Sequence, residues 1–555
     1  MPSRWDNGVR GQRTMADIFD YVIIGAGSAG CVVARRLSDA NVGRICVLEA
    51  GPADRNLFIH IPAGFIRTVN NPRINWLYET EPGDWTGGRR VSQPRGKTLG
   101  GSGSINGHIV NRGQASDFET WAQLGNRGWS YAEVLPYFKR LETRVGTGDD
   151  TYRGREGPLT VTDLDWQNPL IDGFIRSAES LGIPRNPDYN GASQSGVSVA
   201  QRAVDCGRRV SPARAFLHPA RKTGRLDVRT ECLVERLIFD GKRAVGCTYL
   251  QGGRRHEIRA NREIILSAGV FNSPQILHRS GVGEPGHLAG LGIDTVHALP
   301  SVGQNLADHC YSTVTARVKN ALSLNERTRG LPLAWEVLKY AVQRRGVLSL
   351  QPSLVYASWR SDPAIADDDI QISFTPGSYD VLRNMKLDRE PGMTAAGWQH
   401  RPESTGFVRA LSSDPNEPPE IQPNYLDTEN DRRVLLASLR LCRAILTADP
   451  LAAYYGFEMT PGPDCQTDDE WLDYIQATCG TTYHPMGSCR MGRADDPGAV
   501  VDDQLRVHGL EGLRVVDASI MPRMISANLN IATLMIGEKA SDMLLSRDPL
   551  PRIEF

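Results

Sequence analysis

The sequence predicts a mixed α/β protein, and the clearest support lies near its beginning. An apolar run over residues 20–24 leads directly into a Gly-x-Gly-x-x-Gly turn over residues 25–30. A helical segment follows over residues 31–37, and a second apolar strand over residues 44–48 ends at Glu49. Strand, turn, helix, strand and acid in this order form a Rossmann-like βαβ unit that binds a dinucleotide.

Each glycine of this turn has a physical role. Gly25 makes the tight turn, Gly27 lets backbone N–H groups approach a pyrophosphate, and Gly30 lets helix and strand pack closely. The helix N-terminus adds a partial positive charge for the phosphates. Glu49 can accept hydrogen bonds from ribose hydroxyls and would repel a 2′-phosphate, which argues against NADP. On these residues alone, NAD and FAD are equally good candidates.

Composition is that of an ordinary globular enzyme. The 555 residues are 40% hydrophobic and 23% charged, with a net charge of -1, so no global field attracts nucleic acid or an anionic membrane. No apolar run reaches the roughly 18 residues of a transmembrane helix. The first sixteen residues lack the apolar core of a secretory signal, and Met15 is a possible start. We therefore expect at most peripheral membrane association.

Cysteine and histidine usage bears on compartment and on metals. None of the ten cysteines forms a C-x-x-C pair, and Cys31, Cys46 and Cys247 lie in apolar runs, so we expect buried thiols and a cytoplasmic location. The eleven histidines show no metal-binding spacing, so no metal site is predicted.

Local patterns predict further elements along the chain. The last two of them, near the C-terminus, are expected to complete the first βαβ unit. An amphipathic helix is expected over Tyr131–Glu142. The other expected elements are a hairpin over 226–250 turning at 240–241, a strand over 262–269 followed by a helix, helices over 331–345 and 431–448, a strand over 369–375, a parallel strand over 513–517 and a helix from Asn530.

Two more glycine-rich segments, 94–107 and 269–283, are candidates for ligand contact. The first contains too many glycines for a strand or helix, and such a loop can lay its backbone amides along a flat or anionic ligand. A plain surface loop is the alternative. The second ends a helix in a glycine-capped turn, and alone it is equally compatible with a structural role.

Together with residues 482–492, 515–519 and 521–539, these segments resemble the glucose–methanol–choline (GMC) oxidoreductase family of flavoproteins. The resemblance extends over residues 17 to 545 and is greatest for the choline-dehydrogenase-like, acceptor-dependent alcohol dehydrogenases. It implies a Rossmann-like FAD-binding domain of the GR2 type and an α+β substrate-binding domain of antiparallel sheet plus helices. The implied segments are FAD-binding residues 17–157, 196–310 and 480–546, and substrate-binding residues 158–195 and 311–479.

The resemblance also implies a catalytic histidine, His484, facing the flavin beside Asn528. A neutral imidazole suits removal of the hydroxyl proton, and flavin N5 is the expected acceptor of the carbon-bound hydride. Asn528 can hold the developing alkoxide, although an asparagine just before a helix is also a common cap. We expect His309 and His508 to be structural.

Cofactor contacts follow from the motifs and the resemblance. Val234 is expected near the adenine, Asn106 near the isoalloxazine, residues 517–518 near the ribityl–pyrophosphate and residues 530–531 near the pyrimidine. The full set is Gly25, Gly27, Ser28, Ala29, Gly30, Glu49, Ala50, Arg95, Leu99, Gly101, Ser102, Asn106, Gly107, Val234, Asp517, Ala518, Asn530 and Ile531.

Two positions depart from the family pattern. Some relatives carry a histidine bonded covalently to the flavin where this chain has Ile105, so FAD is expected to be non-covalent. Val110 replaces an aromatic residue of many relatives and alters the expected substrate pocket. The proposed function is FAD-dependent oxidation of an alcohol to an aldehyde or ketone, with electrons passing to a quinone-like acceptor or to oxygen.

Several alternatives stay open at this point. Hydroxynitrile lyases and light-driven fatty acid decarboxylases share the fold, an alcohol oxidase differs only in its acceptor, and a non-catalytic binding protein is the least expected. A choline-type substrate would need an aromatic cage with a carboxylate, for which Trp76, Tyr78, Trp398 and Glu403 are candidates. A monomer or homodimer is expected.

Overall fold

The computed structural model describes residues 17–380 and 386–555. The predictions about the first sixteen residues, including the absence of a secretory signal and a start at Met15, lie outside the described residues.

A seven-stranded sheet contains the predicted βαβ unit. Its strands run in the order Leu226–Arg229, Ile45–Leu48, Asp17–Ile24, Arg254–Leu266, Arg243–Gln251 and Leu233–Asp240, and Leu513–Val515 also pairs with Arg254–Leu266. The first four strands and Leu513–Val515 are parallel, and the 233–251 hairpin is antiparallel. The long strand 254–266 joins the two parts, since its first half pairs with the hairpin and its second half with the C-terminal strand.

Two helices flank the start of this sheet. The helix Ser28–Asp39 follows the glycine turn, and the helix Leu529–Leu544 packs against it from the far end of the chain. The strand Ile45–Leu48 is wholly buried, as expected of a parallel sheet covered on both faces. The C-terminal segment therefore completes the layer around the predicted βαβ unit, as the sequence predicts.

A second seven-stranded sheet is antiparallel. Its order is Tyr455–Thr460, Cys310–Val318, Gly392–Gln399, Ile370–Thr375, Val355–Trp359 and Gly196–Val199, with Gly480–Thr481 also paired to Cys310–Val318. The helix Glu429–Thr447 covers one face of this sheet. It buries Leu435, Leu439, Cys442 and Leu446, which recur at helical spacing and form one apolar face.

Smaller elements connect these layers. A three-stranded sheet consists of Gln304–Leu306, Gly406–Arg409 and Glu420–Gln422. Two-stranded pairs are Tyr78–Glu79 with Ser92–Gln93, Glu142–Arg144 with Leu159–Val161, Val204–Asp205 with Arg208–Arg209, Val282–Gly283 with His297–Ala298, and Tyr379–Asp380 with Lys386–Leu387. The remaining α-helices are Leu57–His60, Phe65–Thr68, Ala115–Gln123, Tyr131–Leu141, Pro169–Ser180, His218–Arg221, Asn272–Arg279, Pro285–Gly290, Leu324–Arg327, Gly330–Gln343, Asp449–Ala452 and Asp468–Thr478.

Most predicted elements are confirmed within a few residues. The hairpin expected over 226–250 is found only over 233–251, because Leu226–Arg229 is a separate strand that pairs in parallel with Ile45–Leu48. The strand expected over 262–269 is the end of a longer strand that begins at Arg254, because its first half pairs with the hairpin. The short helices Leu57–His60 and Phe65–Thr68 lie between the first βαβ unit and the glycine-rich segment 94–107 and were not predicted. The domain bounds stay a prediction, although the strand Gly196–Val199 belongs to the antiparallel sheet.

Three further properties concern the described residues as a whole. All ten cysteines are free thiols, and eight of them are buried. Within residues 17–380 and 386–555, no helix combines the length and apolar character that spanning a bilayer requires. The same residues contain no cluster of three or more histidine, cysteine or acidic side chains suited to holding a metal ion.

Candidate active site

One large cavity, of about 1180 Å³, is lined by residues from both main sheets. Ile24 and Leu48 reach it from the parallel sheet, and Tyr311 and Ala396 reach it from the antiparallel sheet. The glycine turn at one end and His484 at the other are therefore parts of one continuous site.

The glycine turn at the first end depends on the absence of side chains. Gly25 has φ +99°, and a Cβ there would lie 2.4 Å from the Ser267 carbonyl oxygen. At Gly30 a Cβ would lie 2.1 Å from the Gly25 carbonyl oxygen, as the predicted close packing of helix and strand requires. Gly27 caps the Ser28–Asp39 helix without a side-chain hydrogen bond. The first N–H groups of this helix are thus free of a side-chain cap where an anion can bind.

The second glycine-rich loop packs directly on this turn. The Gly100 N–H donates to the Ala26 carbonyl at 2.7 Å. Gly101 has φ +53°, and a Cβ there would lie 2.8 Å from the Gly27 Cα. The two glycine segments together form a cradle, defined here as residues 25–30 and 100–102, whose walls are backbone.

Glu49 lies beside this cradle and is held by backbone donors. Its carboxylate accepts the Ala26 N–H at 3.0 Å and the Gly51 N–H at 2.9 Å. Burial raises the pKa of Glu49 to about 7, while these two N–H groups oppose the rise. Each carboxylate oxygen keeps a lone pair for a further donor, such as a ribose hydroxyl.

The ends of two C-terminal elements meet the cradle. Asp517 accepts the Gly269 N–H at 2.9 Å and the Ser273 hydroxyl at 2.6 Å, which ties the 269–283 turn to the last strand. The Ser28 hydroxyl donates to Asn530 Oδ1 at 2.6 Å. Since Ser28 and Asn530 lie in the first turns of their helices, two helix N-termini converge on the cavity.

At the other end of the cavity, His484 contacts Asn528. Asn528 Nδ2 lies 3.0 Å from His484 Nε2, and Asn528 Oδ1 accepts the Tyr356 hydroxyl at 3.3 Å. Asn528 is the N-cap residue of the last helix, yet its side chain makes no capping hydrogen bond. The Asn528 side chain thus contacts His484 instead of capping its own helix.

The neighbours of His484 determine its tautomer. His309 Nε2 lies 2.7 Å from the His400 carbonyl, which can only accept, so His309 Nε2 carries a proton. In neutral His309 the other nitrogen, Nδ1, is then an acceptor, and it lies 3.0 Å from His484 Nδ1. His484 therefore carries its proton on Nδ1, and its Nε2 lone pair faces the Asn528 amide donor.

A threonine supports the same assignment. Thr482 Oγ1 lies 2.7 Å from His484 Nδ1 and can donate its own proton to the His309 carbonyl at 3.3 Å. With its proton used there, this hydroxyl accepts from His484 Nδ1. Two independent acceptors thus favour the proton on Nδ1.

Electrostatics keep His484 in its neutral form. Burial lowers the pKa of His484 well below 6.5, and the neighbouring His309 and Arg95 lower it further. Burial also lowers the pKa of His309, consistent with its role as a neutral acceptor. The imidazole of His484 is therefore uncharged at neutral pH, and its Nε2 can accept a proton.

Asp308 holds the backbone that carries His484. It accepts the His484 N–H at 2.9 Å and the Thr481 hydroxyl at 2.6 Å. Tyr425 and Gln93 donate to the same carboxylate at 2.5 and 3.2 Å. A buried carboxylate with this many donors fixes the loop rigidly, since each such bond to a charged group is worth about 1.5–3 kcal/mol.

Sequence reasoning missed Asp308 and the contact made by His309. His309, which we expect to be structural, contacts His484 directly. The available signal was an adjacent Asp-His pair immediately before the Cys310–Val318 strand, which itself pairs with Gly480–Thr481. The same expectation for His508 stays a prediction; its Nε2 lies 3.1 Å from the Gly492 carbonyl.

The structure brings most predicted site residues to the cavity wall. Gly30, Leu99 and Ile531 do not line it, because Gly30 lies in the helix–strand contact and the side chains of the other two are buried in the core. The predicted residues that line the cavity are Gly25, Gly27, Ser28, Ala29, Glu49, Ala50, Arg95, Gly101, Ser102, Asn106, Gly107, Val234, His484, Asp517, Ala518, Asn528 and Asn530.

The wall around Asn528 is aromatic and apolar. Tyr356 and Trp398 pack edge to face with ring centroids 6.0 Å apart, in one buried cluster with Ile109 and Tyr311. All four line the cavity. Ile105 also lines it, whereas Val110 does not and faces the core, so Ile109 and not Val110 shapes this wall.

The residues considered for a choline cage do not assemble. Trp76 and Trp398 line the cavity but belong to separate clusters, and Tyr78 lies behind Trp76. Glu403 accepts from the Asn430 amide and lies away from the cavity wall. Among the described residues of the wall, Glu49 and Asp517 are the only carboxylates, and both belong to the cradle end.

Comparisons with known sequences agree over nearly the whole chain. Two family profiles described as GMC oxidoreductase match residues 19–311 and 402–537. The mitochondrial choline dehydrogenase of Homo sapiens is 38% identical over 541 residues, covering 96% of this chain and 91% of that protein. The "Alcohol dehydrogenase [acceptor]" of Pseudomonas putida is 37% identical over 533 residues, covering 96% of each.

A solved structure also matches. The crystal structure of pyridoxine 4-oxidase from Mesorbium loti superposes with a TM-score of 0.86 at 30% identity, covering 95% of this chain and 99% of that one. The sequence and structural similarities thus extend over both sheets.

Proposed function

Since this chain belongs to the GMC oxidoreductase family, we propose that His484 and Asn528 carry out its reaction and that the substrate is a neutral, largely apolar alcohol. The family's activity is FAD-dependent oxidation of alcohols, by dehydrogenases and by oxidases. The observation that carries the proposal is the His484 Nε2 lone pair, held beside an amide donor in an aromatic pocket.

The cradle suits the dinucleotide part of FAD. Added side chains at Gly25 or Gly101 would meet backbone at 2.4 and 2.8 Å, so the backbone walls of the cradle pack this closely only because both residues are glycine. Uncapped N–H groups at the Ser28–Asp39 helix suit the pyrophosphate, and Glu49 suits a ribose. When bound, FAD supplies the acceptor for the hydride. Ile105 offers no group for a covalent bond to flavin, so we propose non-covalent binding.

His484 acts as the base in this proposal. Its Nε2 accepts the proton of the substrate hydroxyl, and His309 Nδ1 holds the ring by accepting from Nδ1. Asn528 Nδ2 donates to the oxygen as negative charge develops on it. Since the base is active only when neutral and its pKa is depressed, activity is retained from neutral pH down to 6.5 and lost at a lower pH.

The proposed substrate class follows from the wall at this end. A cage for a quaternary ammonium such as choline would combine aromatic ring faces with a carboxylate, and the only wall carboxylates among the described residues are Glu49 and Asp517 at the cradle. Tyr356, Trp398 and Ile109 instead present apolar area to a neutral chain or ring. We propose that electrons then pass to a quinone-like acceptor or to oxygen.

The cellular setting is part of the proposal. Ten free thiols, eight of them buried, support a reducing compartment such as the cytoplasm.

The test is anaerobic bleaching of the bound flavin by a panel of alcohols. We expect apolar aliphatic or aromatic alcohols to bleach it and choline to do so much more slowly at equal concentration. Repeating turnover with a redox dye, with and without oxygen, separates a dehydrogenase from an oxidase.

Two results would contradict this proposal. Flavin that stays oxidised with every alcohol would indicate a lyase or a binding protein. Choline as the fastest substrate would refute the apolar substrate class while leaving the reaction type intact.

A further inference from the structure

The helix Gly330–Gln343 exposes its apolar face to solvent, whereas an ordinary surface helix exposes its polar face. Its fully buried side chains are Glu336 and Tyr340. On the opposite side, Leu331, Trp335, Leu338 and Val342 are 87, 64, 53 and 74% exposed. We call these four residues the apolar stripe. Their spacing of four, three and four positions puts them on one face of the helix.

Polar contacts hold the helix in this orientation. Glu336 pairs with Arg327 at 3.3 Å and accepts the Val347 N–H at 3.1 Å. The Tyr340 hydroxyl donates to the Gly207 carbonyl at 2.8 Å. Because the charged and hydroxyl groups are anchored inward, the helix cannot bury the apolar stripe by simple rotation without breaking these bonds.

A second exposed apolar segment lies next to the helix. Residues 55–73, called here the mouth segment, expose Leu57, Phe58 and Ile66. Pro62–Gly64 of this segment contacts Val347–Ser349, which follows the helix. Phe58 and Ile66 are exposed and also line the cavity, as Val337 of the helix does. Side chains that are both exposed and part of the wall mark where the cavity opens.

The charges around this opening are basic. The mouth segment contains the exposed Arg55, Arg67 and Arg73 and no acidic residue. The aspartate just before it, Asp54, is buried. At the end of the helix, Arg344 and Arg345 are exposed. The carboxylate nearest to Arg345 is Asp165 at 4.0 Å, which pairs more closely with Arg202 at 2.7 Å. This basic rim stands out on a chain whose net charge is -1.

We propose that the apolar stripe and the mouth segment dock the enzyme on an anionic lipid bilayer, with the cavity opening against the membrane. An exposed apolar helix face flanked by arginines is the pattern of a helix that lies in the membrane interface. The complementary partner for the basic rim is the anionic headgroup layer. The net charge of -1 does not oppose such docking, because the charges are unevenly distributed.

The consequence for catalysis rests on the proposed function. An apolar alcohol and a quinone-like acceptor both partition into bilayers, so an opening at the membrane surface would receive both without passage through water. Docking itself does not depend on that chemistry and can be measured separately.

The experiment is flotation of the FAD-loaded full chain with two kinds of vesicle, phosphatidylcholine alone and phosphatidylcholine with phosphatidylglycerol. We expect flotation with the anionic vesicles and much less with the neutral ones. The variant combining Leu331→Gln, Trp335→Gln and Leu338→Gln should lose at least about tenfold in vesicle partitioning. Its dye-linked turnover of a water-soluble alcohol should be unchanged, since none of the three lines the cavity.

Matched variants make the result specific. Leu411→Gln with Phe457→Gln removes two other exposed apolar side chains, 51 and 62% exposed and outside the cavity wall, and should float as the wild type does. Arg55→Gln with Arg345→Gln should weaken flotation on anionic vesicles. The docking proposal is overturned if wild type does not float, if the triple variant floats equally well, or if the stripe instead holds a dimer that the triple variant dissociates. Flotation without turnover of any alcohol would leave docking supported and refute the proposed function.

Discussion

His484 can act as a base because of what its other nitrogen touches. His309 Nδ1 is an acceptor only because His309 Nε2 donates to the His400 carbonyl. The tautomer of His484 is therefore determined by a chain of hydrogen bonds that runs from the His400 carbonyl through His309. The Asn528 amide then lies next to that lone pair rather than capping its helix. Chemistry at this site thus depends on side chains that never line the cavity.

Replacement of His309 by leucine should lower kcat about 10- to 100-fold while KM changes little, since the acceptor that orients the base is lost but the pocket wall is kept. His309→Asn, which keeps an acceptor near the Nδ1 position, should restore part of kcat. Steady-state kinetics of both variants, with bound flavin measured in each, test this.

His508, which lies outside the site and contacts a backbone carbonyl, provides the control for the two His309 variants. His508→Leu removes a histidine whose Nε2 lies 3.1 Å from a backbone carbonyl, and it should leave kcat near the wild-type value. If both His309 variants lost flavin and activity together, His309 would be a structural residue, as its sequence context alone suggests.

Sequence could identify His484 but not its partner, and the reason is physical. His484 lies in a motif of residues 482–492 whose elements are contiguous in the chain. His309 lies 175 positions earlier and gains its role from the pairing of the strand 310–318 with Gly480–Thr481. Long-range strand pairing of this kind leaves no local pattern in one sequence.

At the scale of elements, the cradle is formed by two glycine segments whose backbones pack directly against each other. The residue-25 turn and the residue-101 loop approach so closely that a single Cβ would collide with backbone. Local pattern predicted both segments and the helix after the first one. It could not predict that the two segments touch.

Gly101→Ala tests the cradle. The new methyl would lie 2.8 Å from the Gly27 Cα and the residue would keep φ +53°, so the two segments must separate. We expect the purified variant to carry less than about a tenth of the wild-type FAD, from a left-handed strain of about 1 kcal/mol plus the displaced backbone. Flavin absorbance per protein and the FAD dissociation constant measure the loss.

Gly88→Ala separates strain from collision. Gly88 has φ +69°, similar to Gly101, but an added Cβ would meet nothing within 4 Å. It should keep its FAD. Equal flavin content in both variants would show that the close approach of the two glycine segments does not matter for binding.

At the scale of the whole molecule, the site combines distant parts of the chain. Residues 25–30 form part of the cradle, residues 308–309 contact His484, and residues 484 and 528 line the same cavity. The fold class and the C-terminal completion of the first sheet were predictable, because each rests on contiguous apolar runs and turns. The aromatic wall was not predictable, because Ile109, Tyr356 and Trp398 come from separate strands and loops.

The central claim is that His484 takes the proton as hydride leaves the alcohol carbon. The direct measurement is the anaerobic rate of flavin reduction by a saturating apolar alcohol, for wild type and His484→Ala, each with its bound FAD quantified. We expect the variant to keep its FAD and to reduce it at least about 100-fold more slowly. A variant that keeps its FAD and reduces it at the wild-type rate would contradict the account.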